Sequence, residues 1–307
     1  MNKKNGTKQE INLVTLIEKY QNEDRCRAYL EELRWPNGVA CPRCGSMSIS
    51  RVQKYNIFDC NSCRYQFSVT VGTIFHDSHL PLWKWFLTAY MMAEAKKGVS
   101  ANQIKRTIGV SYKTAWYLCH RIRNAMTEHN PEPLNGIVEV DETFIGGKRR
   151  DVGHGYKGNK TAVAGAVERG GSLRLQVVSA RDRKTLHNFI KTHTAPETEA
   201  IYTDDWPPYK GIADHDTRHE TVNHSEEEWV RGDIHTNTVE NVWSLFKRSV
   251  MGSYHKLSAK HLDAYLDELE WRFNNRDNPY LFRDTLLKLI KSENLEYKSL
   301  ISNLRKI

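Results

Sequence analysis

The amino-acid sequence predicts a mixed α/β protein in which an α/β domain follows a small cysteine-rich module and a short helical region. Three observations lead to this prediction. Four of the six cysteines form two closely spaced pairs between residues 41 and 63, an arrangement typical of a small module built around a metal ion. Helical periodicity then continues to about residue 130. After residue 135, segments with strand periodicity alternate with helical segments, as in an α/β domain.

The composition indicates a protein that works in water. The chain has 307 residues, enough for two or three domains, and its mean hydropathy is −0.65. The most apolar run, residues 80–93, is interrupted by Lys84 and is too short to cross a bilayer. The first ten residues contain lysines but no apolar stretch. We therefore expect no signal peptide, no membrane contact and a cytoplasmic location.

The net charge of +8 is concentrated in one part of the chain. Residues 41–130 contain 12 basic and 4 acidic residues, whereas the charges of the remainder cancel. A concentrated basic segment is typical of a protein that binds a polyanion such as DNA. A solvated surface face can have the same composition, so the charge alone leaves both interpretations open.

The paired cysteines predict a structural zinc site. Cys41 and Cys44 form one CxxC motif, Cys60 and Cys63 form the other, and 15 residues separate the two motifs. Two such motifs place four thiolates around one tetrahedral zinc ion. Two disulfide bonds are the alternative, but they are disfavoured in a chain without an export signal. Because four thiolates close the coordination shell, we expect Zn²⁺ to stabilise the fold rather than to catalyse a reaction.

The helices that follow the cysteines have the pattern of a helix-turn-helix. A helix capped by Ser100 is predicted to end at Ile108, and a second helix capped by Ser111 to end at Met126, with a turn at Gly109. Many helical hairpins share this pattern, but the basic charge favours DNA binding. We expect the basic side chains of the second helix to lie off its buried face. The predicted DNA contacts are Lys105, Arg106, Lys113, Arg121 and, from the second half of the chain, Lys247.

The second half of the chain has the element order of the ribonuclease H-like fold. Val138 and Val140 alternate with Glu139 and Asp141, which is strand periodicity. A two-stranded hairpin, a helix, a strand that ends at Asp204, a further strand and a late helix follow. In that fold the first and fourth strands lie side by side, so their carboxylates meet at one end of the sheet.

Three carboxylates fall where this fold would bring them together: Asp141 on the first strand, Asp204 at the end of the fourth, and Glu240 on the late helix. Glu142 adjoins Asp141, but strand alternation directs it to the opposite face. Three converging carboxylates repel one another unless a cation is present, and oxygen ligands suit Mg²⁺ or Mn²⁺. Two such ions can activate an attacking oxygen and stabilise a leaving oxygen at a phosphodiester. Each acid alone could be a surface, turn or cap residue, so the prediction rests on their joint placement.

Glu240 also has a purely structural explanation. Asn237 and Glu240 have the spacing of a capping box, in which Asn237 would cap the helix and Glu240 would bind the amide of Asn237. The positions of the two aspartates favour the metal-ligand role over the cap.

Four stretches of the sequence resemble one protein family. They are "CPRCG…FDCNSCRYQFSVTVGTIF", "VEVDETFIGGK", "YTDDWPPY" and "HTNTVENVWSLFKRSVMGSYHKLSAKHLDAYLDELEWRFNNR". In these stretches the chain resembles bacterial insertion-sequence transposases of the DDE class, in the ISXO2-like subgroup that carries an N-terminal zinc ribbon and a helix-turn-helix. The resemblance covers residues 36–276.

The resemblance implies roles for individual residues. Asp141, Asp204 and Glu240 would be the catalytic triad, with Asp204 preferred to the adjacent Asp205, and Lys247 would contact a DNA phosphate. Lys247 could equally be a solvated lysine. The implied reaction is metal-dependent phosphoryl transfer on double-stranded DNA. Water first cleaves at the inverted-repeat ends of the element, and the freed 3′-hydroxyl then attacks target DNA. A homo-oligomer assembled on DNA in the bacterial cytoplasm, at the nucleoid, is implied as the working form.

Two other functions remain open from the sequence. One is a zinc-ribbon and helix-turn-helix regulator whose nuclease-like domain is inactive, although the intact triad argues against it. The other is a nuclease of the same fold that performs no strand transfer. The predicted domains are a helical lead-in (1–35), a zinc ribbon (36–75), a helix-turn-helix region (80–130), a ribonuclease H-like catalytic domain (135–280) and a C-terminal helical tail (281–307).

Overall fold

The described part of the chain forms two compact units. The computed structural model describes residues 11–146, 160–213, 217–223, 226, 228 and 230–302. Unit 1 comprises residues 1–95, 99–126 and 277–307, and unit 2 comprises residues 96–98 and 127–276. The first ten residues of the predicted lead-in and the last five of the predicted tail lie outside the described residues.

The elements follow the predicted order. The strands are β1 (Ile49–Val52), β2 (Ile57–Cys60), β3 (Gln66–Phe67), β4 (Ile137–Ile145), β5 (Thr161–Glu168), β6 (Leu173–Val178), β7 (Ala200–Asp204) and β8 (Arg218–Val222). The helices are α1 (Leu13–Tyr20), α2 (Glu23–Arg34), α3 (Leu82–Glu94), α4 (Ala101–Ile108), α5 (Tyr112–Met126), α6 (Arg183–His193), α7 (Asn237–Ser249), α8 (Leu262–Asn274), α9 (Leu281–Lys291) and α10 (Tyr297–Ile301). Within the described ranges, no helix is both long enough and apolar enough to cross a membrane.

In unit 1, interactions between residues that are close in sequence determine the small sheet and the helix pair α4–α5. The three short strands form an antiparallel sheet in the order β1-β2-β3. Ser100 Oγ accepts a hydrogen bond from the Gln103 amide at 3.1 Å, and Ser111 Oγ accepts one from the Thr114 amide at 3.1 Å. Gly109 ends α4 in the left-handed region, with φ of +62°. The predicted caps and turn are therefore present.

Aromatic side chains pack the C-terminal helices against the earlier helices of unit 1. The ring centroid of Phe282 on α9 lies 5.9 Å from that of Phe86 and 6.0 Å from that of Tyr20. Tyr117 on α5 and Tyr297 on α10 are 5.3 Å apart. Such pairs contribute beyond the area they bury. The predicted C-terminal helical tail thus packs against the N-terminal helices through the apolar face of α9.

Unit 2 is built on a five-stranded sheet with the order β6-β5-β4-β7-β8. The strands β4, β5 and β6 pair antiparallel, whereas β4 with β7 and β7 with β8 pair parallel. Numbered within the unit, this is the order 3-2-1-4-5 of the ribonuclease H-like fold. The first and fourth strands are neighbours, as the sequence predicted.

Helices cover both faces of this sheet, and β4 contributes to both cores. Residues facing α7 and α8 pack in one cluster, which includes Val163, Val239, Trp243, Phe246 and Leu266. Residues facing α6 pack in another, which includes Val138, Val140, Leu186, Phe189 and Tyr209. The alternation along β4 therefore directs the two valines to the α6 face.

Candidate metal centres and active site

The four cysteines of the CxxC motifs converge in unit 1. Their sulfur atoms all lie within 4.8 Å of one another, with Cys41 Sγ 3.7 Å from Cys63 Sγ and Cys44 Sγ 3.6 Å from Cys60 Sγ. None of the four cysteines forms a disulfide bond. Four sulfur ligands at this spacing fit tetrahedral Zn²⁺. Among the described residues, this is the one group of three or more potential metal ligands held so closely.

Both CxxC motifs bend the backbone around the sulfur atoms in the same way. The residue after the second cysteine has a positive φ, +73° at Gly45 and +57° at Arg64. Its amide donates to the carbonyl of the first cysteine, at 2.9 Å for Cys41 and 2.8 Å for Cys60. Hydrogen bonding from the Cys63 amide lowers the pKa of Cys60 to about 6, which favours the thiolate form that binds zinc. The residues present therefore fit a structural zinc ion.

Pairing of β4 with β7 brings two of the predicted carboxylates to the same level of the sheet. Glu139 pairs with Tyr202, and the same register continued by two residues places Asp141 opposite Asp204. Burial raises the pKa of Asp141 to about 7, and the charges of Glu142 and Asp204 add to the shift. A bound cation would oppose this shift because it favours the ionised carboxylate. The half-buried carboxylates and their oxygen atoms thus fit a hard divalent cation.

Trp243 on α7 connects the helix to Asp141. The indole Nε1 donates a hydrogen bond to Asp141 Oδ2 at 2.9 Å. The ring lies over Gly165, which pairs with Asp141 on β5, and a Cβ at Gly165 would lie only 2.6 Å from Trp243 Cζ2. A residue without a side chain is needed for this close approach. Glu240 precedes Trp243 by three residues, so the two share a helix face.

The start of α7 excludes the capping box that the sequence allowed. Thr236 is the N-cap residue and Asn237 is the first helical residue, so Asn237 does not cap the helix. Glu240 Oε1 instead accepts a hydrogen bond from the Thr236 hydroxyl at 2.8 Å. The capping-box interpretation is therefore wrong, whereas the metal-ligand role remains a prediction. Within the described residues, the three carboxylates are not gathered as closely as the cysteine sulfurs.

The amides at the start of α7 are bound by Glu139, which the sequence did not single out as a functional residue. Its completely buried carboxylate accepts hydrogen bonds from the Thr238 amide at 2.7 Å, the Thr238 hydroxyl at 2.9 Å and the Val239 amide at 3.3 Å. Negative charge is favourable at a helix N-terminus. Glu139 lies on β4, so its hydrogen bonds hold the first turn of α7, which carries Glu240, against that strand.

Arg169 balances the charge of Glu139, and His235 lies beside the same carboxylate oxygen. Arg169 Nε donates to Glu139 Oε1 at 2.8 Å, and His235 Nδ1 lies 3.2 Å from the same oxygen. The Arg169 guanidinium also stacks on the ring of Tyr202 at 4.8 Å. The sequence signal for this network was the strand alternation, which places Glu139 and Asp141 on the same face of β4.

Glu142 faces away from Asp141, as strand alternation predicted. Glu142 Oε1 accepts a hydrogen bond from Arg181 at 3.0 Å, and Oε2 accepts one from the Tyr209 hydroxyl at 2.5 Å. The Arg181 guanidinium also stacks on Trp206 at 4.7 Å. These contacts attach β4 to the segment that follows β7 and give Glu142 a structural role.

Four of the five predicted DNA contacts are exposed side chains. In unit 1, Lys105 and Arg106 lie on α4 and Lys113 lies on α5. In unit 2, Lys247 lies on α7, two turns after Glu240. Exposure makes these residues available to DNA, and their contacts with it remain predictions.

Arg121 cannot serve as a DNA contact, and that prediction is wrong. The side chain is only 4% exposed and donates hydrogen bonds to the His76 carbonyl at 2.7 Å and to Asn294 Oδ1 at 2.8 Å. Its guanidinium stacks on Trp85 at 5.0 Å and on Tyr117 at 5.3 Å. The prediction assumed that α5 buries a single face, but other parts of unit 1 also cover the face that carries this arginine.

Solved structures give only weak similarity. The chain is similar to a chain of the Mos1 strand transfer complex, with a TM-score of 0.29 and 12% identity over 67% of this chain and 75% of that one. It is also similar to a chain of the simian T-cell lymphotropic virus intasome in complex with the PP2A regulatory subunit B56 gamma. There the TM-score is 0.26 and the identity 14%, over 71% of this chain and 74% of that one. At such TM-scores these likenesses carry no argument.

Sequence relatives are more informative. A protein described as an uncharacterized protein in transposable element ISH50, from Halobacterium salinarum, is 30% identical over 275 residues, which cover 83% of this chain and 92% of the relative. An uncharacterized transposase-like protein from Haemophilus influenzae is 29% identical over 93 residues, which cover 30% of this chain and 73% of that protein.

Two family models match the two parts of the molecule. The model of a transposase zinc-ribbon domain matches residues 21–66, which include all four cysteines of the cluster. The model of an ISXO2-like transposase domain matches residues 133–274, which include the three predicted carboxylates. With the similarity to the ISH50 protein over 83% of this chain, these matches establish that the chain belongs to the ISXO2-like transposase family.

Proposed function

We propose that this chain is a DNA transposase that cleaves and transfers strands at the ends of its insertion sequence in a divalent-metal-dependent reaction. The pairing of β4 with β7 carries the proposal, because its register, continued by two residues, would set Asp141 level with Asp204, and Trp243 on the helix that bears Glu240 donates a hydrogen bond to Asp141. Family membership supports the same assignment. Oxygen ligands and neighbouring negative charges suit Mg²⁺ or Mn²⁺.

Asp141, Asp204 and Glu240 would hold the metal ions. Two bound divalent ions would supply Lewis acidity to the attacking and leaving oxygens of a phosphodiester. Residues of the chain prepare the ligands for this task. The Trp243 indole restrains Asp141 through one carboxylate oxygen, and the Thr236 hydroxyl restrains Glu240 in the same way. Such support from neighbouring side chains is what orients ligands at metal sites.

The exposed ammonium of Lys247 would bind a DNA phosphate close to the reacting strand. Water would be the nucleophile for cleavage, and the freed 3′-hydroxyl would be the nucleophile for strand transfer. The reaction therefore requires no covalent intermediate on a serine or tyrosine.

Unit 1 would recognise the element ends in double-stranded DNA. Zn²⁺ at the four cysteines would hold the ribbon, and the exposed Lys105, Arg106 and Lys113 would contact phosphates. Because both inverted-repeat ends must be held at once, the working form would be a homo-oligomer assembled on DNA in the cytoplasm. In this proposal residues 36–75 and 80–130 bind DNA and residues 135–280 catalyse.

The decisive experiment is incubation of the purified protein with DNA that carries the element ends, with and without Mg²⁺. Cleavage should require Mg²⁺, should be lost in Asp204→Asn and should be retained in Asp205→Asn. Selective binding of the ends without any cleavage would instead indicate a regulator. Pre-cleaved ends should be joined to target DNA, and failure to join them would indicate a nuclease without strand transfer.

A further inference from the structure

We infer that Arg169 is a positioning residue that sets the relative places of the three carboxylates, an inference that rests on the proposed function. Arg169 directly follows β5, so it lies on none of the three elements that carry the predicted ligands, which are β4, β7 and α7. Its amide donates a hydrogen bond to the Ile137 carbonyl at 2.9 Å, which extends the pairing of β5 with β4 by one residue. The backbone of Arg169 is therefore fixed against β4, and its side chain starts from a defined position.

The guanidinium of Arg169 contacts all three segments that lead to the ligands. Its Nε donates to Glu139 Oε1 on β4 at 2.8 Å. Its face lies over the ring of Tyr202 on β7, 4.8 Å from the ring centroid. Its Nη1 and Nη2 donate to the carbonyls of Asp233 and His235, at 2.6 and 3.2 Å, in the segment that leads into α7. One side chain thus connects β4, β7 and the start of α7.

On the two strands, these contacts lie directly before the predicted ligands. Glu139 and Tyr202 pair with each other across β4 and β7, and Arg169 contacts both members of the pair. Asp141 follows Glu139 by two residues, and Asp204 follows Tyr202 by two, so each ligand shares a strand face with a residue that the arginine holds. Two residues span about 7 Å along a strand. Arg169 therefore restrains both strands one step before their carboxylates.

The connection to α7 runs through backbone atoms. Besides the two carbonyls before the helix, the carboxylate of Glu139 accepts hydrogen bonds from the amides of Thr238 and Val239, at 2.7 and 3.3 Å. Glu240 directly follows Val239 and lies in the same turn. The position of this turn against β4 therefore depends on Arg169 directly and also through Glu139.

Glu139 has no acceptor position left for a metal ion. Its Oε1 accepts hydrogen bonds from Arg169 Nε and the Thr238 hydroxyl, and its Oε2 accepts them from the amides of Thr238 and Val239. A carboxylate has about four acceptor positions, so these four hydrogen bonds occupy them. The positive charge of Arg169 also offsets the buried negative charge of Glu139, which would otherwise add to the repulsion among the ligands.

This combination of contacts requires an arginine. The guanidinium is planar and presents its donors in a fixed fork, so one side chain binds a carboxylate, two carbonyls and an aromatic face at once. A lysine would retain the positive charge beside Glu139, but its single ammonium group cannot reproduce the fork or the stacking on Tyr202. Arg169→Lys therefore removes the positioning contacts without leaving a buried carboxylate uncompensated.

The test measures binding of Mn²⁺ to the full-length protein by electron paramagnetic resonance, which detects the free ion. Asp204→Asn removes a predicted ligand, so the binding that this variant loses belongs to the acidic site. Arg169→Lys should weaken that binding by about tenfold or more, the effect usual for residues that support metal ligands. In cleavage assays, the Mg²⁺ concentration for half-maximal rate should rise, and excess Mg²⁺ should restore most of the rate.

The matched control is Arg174→Lys, a change to another buried arginine of unit 2. Arg174 lies on β6 and donates to the carbonyls of Leu173 and Glu132, at 2.8 and 2.6 Å, which lie outside β4, β7 and α7. This variant should lose thermal stability and keep the Mn²⁺ affinity of the wild type. Thermal unfolding of each preparation separates a loss of stability from a loss of metal affinity.

A second pair of variants tests the stacking contact and decides the question if Arg169→Lys does not fold. Tyr202→Phe keeps the ring under the guanidinium and should retain Mn²⁺ affinity. Tyr202→Leu fills the same region without a ring, so it should weaken Mn²⁺ binding. Equal Mn²⁺ affinities in these two variants would contradict the inference.

Other outcomes separate this inference from the proposed function. Wild-type Mn²⁺ affinity in folded Arg169→Lys, or an equal loss in Arg174→Lys, would mean that Arg169 only stabilises the fold, and metal-dependent cleavage would still support the proposed function. Mn²⁺ binding that depends on Arg169, without cleavage at the element ends, would leave the inference standing and overturn the proposed function. Absence of any Mn²⁺ binding that Asp204→Asn removes would overturn both.

Discussion

The cysteine cluster and the acidic site proposed to bind metal depend on the fold to very different extents. The cysteines lie between residues 41 and 63 and need only two similar turns and a small sheet. The carboxylates lie between residues 141 and 240 and need a parallel strand pair and a packed helix. Ligands that are close in sequence can be gathered by local geometry, whereas distant ligands depend on the whole domain.

The difference also appears in how closely each set is gathered. The cysteine sulfurs lie within 4.8 Å of one another. Asp141 and Glu240 are instead hydrogen-bonded to supporting side chains, Trp243 and Thr236 respectively. The raised pKa of Asp141 reflects the cost of removing its carboxylate from water, to which the neighbouring charges of Glu142 and Asp204 add. We therefore expect the acidic site to respond to small changes in its supports.

The largest effect is expected from changing a carboxylate ligand. In Glu240→Gln, the carbonyl oxygen of the new side chain can still accept the Thr236 hydroxyl, so the start of α7 should persist. The lost negative charge should weaken metal binding and reduce cleavage by orders of magnitude. Combining the change with Asp141→Asn should cost little more, because the ligands act as a unit. Cleavage assays and thermal unfolding of the same preparations measure both quantities.

The matched control for this prediction is Asp205→Asn, next to a predicted ligand. It should keep most of the activity. Glu142 is a poor control, because its carboxylate is held by Arg181 and Tyr209 and its replacement would disturb β4. Normal cleavage by Glu240→Gln would show that Glu240 is not a ligand.

The next effect concerns the cysteine cluster and should be confined to unit 1. Structural zinc contributes about 10–16 kcal/mol to small zinc modules, so Cys60→Ser should release the metal and unfold the ribbon. Unit 2 has its own sheet and cores, so it should stay folded. Elemental analysis should find one zinc per wild-type chain, and limited proteolysis should cut the variant near the ribbon. Cys26→Ala, a buried cysteine outside the cluster, should keep its zinc. Folded, reduced wild-type protein without zinc would contradict the assignment.

Periodicity and spacing were sufficient to predict the parts of the fold that depend on neighbouring residues. The CxxC spacing predicted the cluster, and alternation along β4 predicted the opposite directions of Asp141 and Glu142. The element order matched that of the ribonuclease H-like fold, in which the first and fourth strands are neighbours. The spacing and the alternation need no knowledge of which elements touch across the domain.

Features that depend on contacts distant in sequence could not be predicted in this way. Alternation along β4 places Glu139 on the face of Asp141, but it does not indicate that Glu139 binds amides about 100 residues later. Arg121 has the sequence pattern of a surface residue, yet Asn294 lies 173 positions away and accepts its hydrogen bond. The packing of α9 within unit 1 depends on contacts between Phe282 and aromatic rings of the N-terminal helices.

A smaller loss of cleavage activity is expected from substitutions that disturb the acidic site only indirectly. In Gly165→Ala, the new Cβ would lie 2.6 Å from Trp243 Cζ2, so the indole must move. Overpacking of this kind costs about 1–3 kcal/mol of stability. Because the displaced indole would lose its hydrogen bond to Asp141, cleavage should fall more than in Trp243→Phe, which removes the donor but preserves packing.

The control for Gly165→Ala is Gly252→Ala, since a Cβ at Gly252 would meet nothing within 4 Å. It should have little effect on unfolding. Full cleavage activity in both Gly165→Ala and Trp243→Phe would mean that Trp243 does not orient Asp141.

The smallest expected effect concerns DNA binding, and it distinguishes two basic residues of the same helix, Lys113 and Arg121. Lys113 is exposed, so Lys113→Ala should lower the salt dependence of end binding by about 0.9 in slope, with stability unchanged. Arg121 is buried and hydrogen-bonded, so Arg121→Ala should lower the free energy of unfolding by about 1–3 kcal/mol. The salt slope of the folded Arg121 variant should equal that of the wild type. Binding titrations at several salt concentrations, paired with denaturant unfolding, distinguish the two outcomes. If Arg121→Ala instead lowered the slope without loss of stability, α5 would have to expose this arginine when it binds DNA, and its structural assignment would be wrong.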